Sequence, residues 1–167
     1  SPEEQYRFAL GRVLQNDLET GEEAFAEFLK VNKGHERMAD ATFWLGRTQF
    51  ILGEYQKAAL TFSEFNSVYP GDARLVDTTM WIAESVSHFA PREQACEIYA
   101  SLPKLLDNPS NSYMSELGKF ASAAKCGETV IASSKGSKVG VSEVSGKVQA
   151  KEVSLGVWFP TGKPNCQ

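Results

Sequence analysis

An internal repeat restricts this chain more than any other feature. Ala24, Phe28 and Val31 recur as Ala58, Phe62 and Phe65, each 34 residues later. Upstream, Leu10-Gly11 maps onto Leu45-Gly46 at 35 residues, which assigns one extra residue to the "NDLETGEE" turn of the first copy. A shift of 37 then carries Trp44-Leu45-Gly46 to Trp81-Ile82-Ala83, Ala58 to Ala95, Phe62 to Tyr99 and Phe65 to Leu102. A unit this short cannot bury an apolar face alone, so neighbouring copies must stack to make one core.

Within the middle copy, Phe43, Trp44, Gly46, Phe50 and Ile51 are spaced for successive helical turns, and the small Gly46 admits a neighbouring helix closely. Tyr55, Ala58, Phe62 and Phe65 give a second helix its apolar face. Gly53 ends the first helix and Pro70-Gly71 the second. A spacing of 34 is the tetratricopeptide period. The expected fold is therefore all-α: a right-handed superhelix of three helical hairpins, over about 3–34, 37–71 and 74–108. A capping helix over 112–125 follows, with Asn108, Ser110 and Ser112 as N-cap candidates and Tyr113, Leu117, Phe120 and Ala124 along it.

This assigns residues 1–126 to the repeat domain and 127–167 to a Ser/Gly/Lys/Val-rich tail. The tail's weak alternation suits one or two short strands, and its composition suits a flexible segment equally well. A chain of 167 residues fits one domain with a tail. No apolar run reaches the length of about 18 that spans a bilayer, and the net charge of −4, with acids and bases intermixed, offers no stripe for phosphates. Neither a membrane span nor a nucleic-acid partner is expected. Numbering from Ser1 without a methionine suggests a processed or trimmed chain whose targeting segment is already gone.

Catalysis finds no constellation. His35 and His88 lie in different repeats, without a nucleophile or acid at catalytic spacing, and no glycine-rich phosphate loop is present. Glu3-Glu4 and Glu22-Glu23 read as acidic first turns of helices. No cofactor or metal is expected, since Cys96, Cys126 and Cys166 show no metal-binding spacing. Three cysteines leave at least one over if a disulfide forms, and Cys166 in "KPNCQ" reads as a tail residue, a reactive thiol or an intermolecular crosslink.

In stacked hairpins the first helix of each lines a concave face. The frame puts Phe8 and Arg12 there from the first repeat, Asp40, Phe43, Arg47 and Phe50 from the second, and Asp77, Met80, Glu84 and Ser87 from the third. Phe43 and Phe50 could equally belong to the core, and any single charge there could simply be solvated. Arg47 and Glu84 are the charges expected to set the register of a bound segment.

The block "ATFWLGRTQFILGEYQKAALTFSEFNSVYPGDARLVDTTMWIAESV", followed by "QACEIYASLPK", resembles the C-terminal tetratricopeptide domain of the YbgF/CpoB proteins of the Tol-Pal system. The likeness covers about residues 3–126 and rests on "FWLG", "GEYQKA" and the "AC" of the third repeat. It implies a periplasmic scaffold, not an enzyme. Such a protein binds TolA, in reach of a peptidoglycan synthase, and couples septal peptidoglycan synthesis to outer-membrane constriction during cell division. It also implies a disulfide between Cys96 and Cys126. The family's N-terminal coiled coil is missing, which leaves the oligomeric state open. A second expectation is an accessory or chaperone-like factor for outer-membrane protein, secretion or pilus assembly. A third is a thiol-redox role for the cysteines, which helical burial opposes.

Overall fold

The computed structural model describes residues 1–127, and the tail expected from 127 onward lies, apart from Gly127, outside the described residues. Among the described residues every regular element is helical: α1 (Pro2–Leu14), α2 (Leu18–Val31), α3 (Met38–Ile51), α4 (Tyr55–Val68), α5 (Leu75–Phe89), α6 (Arg92–Ser101) with a 3-10 turn at Leu102–Leu105, and α7 (Asn111–Ala123). Antiparallel neighbours pair as α1/α2, α3/α4 and α5/α6, and α2 and α4 each pack on the first helix of the following hairpin. The odd-numbered helices touch in order, α1 to α3 to α5 to α7. None of the described helices is long and apolar enough to cross a membrane.

The connections reveal the true register. Backbone with positive φ falls at Gly34 (85°), Gly71 (87°) and Asn108 (56°) between hairpins, and at Asn16 (65°) and Gly53 (80°) within them. Each set is spaced by 37 residues, because the same left-handed turn recurs where glycine or asparagine tolerates it. His35 and Asp72, also 37 apart, accept the backbone N–H of Arg37 and Arg74 at 3.0 and 2.9 Å. The third hairpin departs from the pattern, closing through extended Ala90 and Pro91, the N-cap of α6.

The 34-residue alignment of the first copy is therefore displaced by one helical turn. Phe25, Phe62 and Tyr99 are the equivalent buried residues, as are Phe28, Phe65 and Leu102. Gly21, Ala58 and Ala95 are the small contact points, while Val31 is 51% exposed. Likewise Ala9, not Gly11, matches Gly46 and Ala83, and the turn at Gln15–Asp17 has the length of that at Leu52–Glu54, so no extra residue is present. A slip of one turn moves apolar onto apolar, and hydrophobic spacing alone could not exclude it.

Close approach demands glycine at two places. A Cβ on Gly46 would lie 2.7 Å from Phe62 Cε1, and one on Gly21 would lie 2.5 Å from Val13 Cγ2. Phe25, Phe28, Phe62 and Phe65 are essentially fully buried, each worth about 1.5–3 kcal/mol of transfer free energy.

Helix α7 begins at Ser110, whose hydroxyl accepts the Tyr113 N–H at 3.0 Å, and its body ends at Ala123, close to the expected 112–125. It buries Tyr113 and Leu117 against α5 and α6. Cys96 of α6 and Cys126 beyond α7 are joined by a disulfide, with Cα atoms 5.5 Å apart.

Candidate functional site

The two faces of α3 are set by sequence period. Ala41, Thr42, Leu45, Gly46, Thr48 and Gln49 are buried against the stack. Asp40, Phe43, Trp44, Arg47 and Phe50 occupy the opposite side, each half-buried. Helix α5 repeats this 37 residues on: Thr78, Thr79, Ile82, Ala83, Ser85 and Val86 are buried. Met80, Trp81 and Glu84 are half-buried and Asp77 and Ser87 exposed on its other side.

Trp81 is the hub between the two helices. Its ring lies 5.7 Å from Phe43, 6.2 Å from Phe50 and 5.4 Å from Phe62. Phe43 also meets Phe65 at 6.0 Å, so the aromatic surface continues into the core. At the far end Tyr55 contacts Phe50 at 5.8 Å and stacks on His88 at 3.8 Å, with the rings 4° from parallel.

Arg47 lies over this surface, its guanidinium carbon 4.3 Å from the Trp81 centroid and 5.6 Å from that of Phe50. Such cation–π contacts contribute about 0.5–1 kcal/mol at exposed sites. Among the described residues no hydrogen bond or ion pair engages the N–H donors of this guanidinium.

The other half-buried arginines are all neutralised. Arg37 donates to Glu3 Oε2 at 2.9 Å and Asp40 Oδ2 at 3.1 Å while covering Tyr6 at 4.7 Å. Arg74, 37 residues on, donates to Asp40 Oδ1 at 2.9 Å and to both oxygens of Asp72, and covers Phe43 and Phe65 at 5.1 Å. Hydrogen bonds from these arginines hold the Glu3 and Asp72 carboxyls below their usual range. The series runs Glu3, Arg37, Asp40, Arg74, and Asp77 occupies the next carboxylate place, but Asn111 stands where a third arginine would be.

The expected groove residues are thus partly assembled. Asp40, Phe43, Arg47 and Phe50 share one strip. Met80, expected in the groove, and Phe43 and Phe50, left open between groove and core, are half-buried because neighbouring rings and the core cover them. Phe8, 55% exposed, and Arg12, bound to Asp17 at 2.6 Å, lie on α1 outside the Trp81 cluster. The Ser87 hydroxyl is turned to its own helix, donating to the Glu84 carbonyl at 2.6 Å. Trp81 was legible only as a repeat-frame tryptophan, and no spacing rule pairs Tyr55 with His88.

A second polar cluster corrects another expectation. Glu22 and Glu23 are not in the first turn of α2, whose acid is Glu19. Glu22 instead meets Glu54 and Lys57, with Lys57 Nζ 3.9 Å from Glu22 Oε2 and 3.8 Å from Glu54 Oε2. Glu54 Oε1 is buried without a hydrogen-bond partner. Burial, followed by the neighbouring Glu54, raises the Glu22 carboxyl above its ordinary range. Among the described residues no group of three or more His, Cys, Asp or Glu is placed to hold a metal ion.

No model of a known protein family matches the chain, and no curated protein matches it either.

Proposed function

We propose that this chain is a periplasmic tetratricopeptide scaffold, a right-handed solenoid whose odd-numbered helices present a concave face to a segment of an envelope protein. TolA is the first partner to test, with a peptidoglycan synthase as the second and coordination of septal wall synthesis with outer-membrane constriction as the role. The observation that carries the binding reading is the half-exposed Phe43, Trp81 and Phe50 surface under Arg47. Aromatic anchors beside a fixed arginine are the composition of protein-binding hot spots. The Tol-Pal assignment rests on the resemblance of residues 3–126 and is supported by the Cys96–Cys126 bond that this resemblance implies.

Calorimetric titration with the purified periplasmic portion of TolA tests the reading, beside an Arg47→Glu/Phe50→Ala variant checked for wild-type helicity. Binding that the variant loses supports it. Wild-type chain that binds no TolA removes the Tol-Pal assignment, and binding untouched in the variant removes the α3/α5 face.

A further inference from the structure

We infer that Arg47 is a receptor for one side-chain carboxylate, so that the segment recognised on the α3/α5 face carries an Asp or Glu beside an apolar residue. The inference rests on the reading of that face as a docking surface and adds the chemistry of its occupant. Arg12, Arg37 and Arg74 each have a carboxylate on the guanidinium, whereas Arg47 has none among the described residues. Contact with the Trp81 ring at 4.3 Å and the Phe50 ring at 5.6 Å already restrains the guanidinium. Little side-chain entropy is then lost when an acid arrives, and the planar fork matches a carboxylate bidentately.

Charge complementarity decides the class of occupant. One guanidinium without a carboxylate among the described residues, on a face whose helices also carry Asp40, already bound by Arg37 and Arg74, and the acids Asp77 and Glu84, suits a single negative charge better than a polyanion. The half-buried rings of Phe43, Trp81 and Phe50 around it favour an apolar neighbour on the incoming segment. A side chain within a peptide satisfies both demands.

A displayed library of random 12-residue peptides is selected on the wild-type chain, on Arg47→Gln and on Arg92→Gln, a control at an exposed arginine of α6, after each shows unchanged helicity. The leading peptide is then compared with a twin in which its Glu or Asp becomes Gln or Asn. Wild type and Arg92→Gln select acid-containing peptides, and the twin binds them about tenfold more weakly, the scale of one charge-assisted hydrogen bond. Arg47→Gln binds peptide and twin alike. Equal binding of the pair by wild type overturns the carboxylate assignment and leaves the docking face standing. Loss of acid selection in Arg92→Gln as well overturns it in favour of net charge. Failure of the wild type to capture any peptide overturns the docking face itself.

Discussion

The Tyr113 hydroxyl donates to Thr79 Oγ1 at 2.8 Å, joining α7 to α5 between two buried side chains. Thr79 in turn donates to the Leu75 carbonyl at 2.6 Å, so the tyrosine proton satisfies the remaining acceptor of a hydroxyl with no access to water. This bond makes α7 a continuation of the stack rather than a lid resting on it. Tyr113→Phe is expected to destabilise the chain by about 1 kcal/mol, the net worth of one hydrogen bond. Tyr113→Ala is expected to cost about 3–5 kcal/mol through the cavity it leaves. Urea unfolding followed by circular dichroism distinguishes the two, and equal midpoints for Tyr113→Phe and wild type would remove the bond's role.

Two glycines inside helices should respond to alanine in opposite directions. In Gly46→Ala the new methyl would press on the buried Phe62 ring at 2.7 Å, and overpacking of this kind costs about 1–3 kcal/mol. In Gly118→Ala it meets no atom within 4 Å, and the helix gains about 0.5–1 kcal/mol. Thermal unfolding of both variants checks the pair, and a stabilised Gly46→Ala would refute the close contact.

Reduction of Cys96–Cys126 should lower stability. The bridge closes a loop of 30 residues, for which chain entropy gives about 3.5 kcal/mol. Both strands of the bridge belong to the α6/α7 end, so hydrogen exchange should rise in α7 before it rises in α3 and α4. Uniform acceleration across all helices would contradict a local role.

Glu22 gives the chain a pH dependence of definite sign. Its carboxyl is raised in the folded state, so folding takes up a proton between the unfolded and folded values. That contribution is complete below the unfolded value near 4.5 and is lost as pH rises through the folded one. Glu22→Gln keeps the size of the side chain without its charge. Relative to wild type it should therefore be more stable at pH 7 than at pH 4, in urea titrations at both values. A variant equally displaced at the two pH values would exclude Glu22 as the group.

The hairpin architecture was legible because α3 and α5 share their buried positions residue for residue at 37, from Ala41 and Thr78 to Gln49 and Val86. The first hairpin was misregistered because Ala24, Phe28 and Val31 imitate the pattern one turn away, and only the left-handed turns at Asn16 and Gly34 break the tie. At the site, helical period identified the strip holding Asp40, Phe43, Arg47 and Phe50. It could not show that Arg74 would reach back to Asp40 or that Glu22 would meet Glu54, since these contacts depend on how far successive hairpins advance.

The series from Glu3 to Arg74 has a mechanical consequence. Arg37 reaches back to Glu3 of the first hairpin, Arg74 reaches back to Asp40 of the second, and neither bridge skips a hairpin. These pairs are half-exposed and open to screening, whereas the apolar contacts within the hairpins and between them, such as Trp81 on Phe43 and Phe62, are indifferent to salt. Ionic strength therefore acts on one polar latch at each articulation and leaves the apolar packing beneath it alone, so that the stiffness of the stack answers in part to the fluid around it.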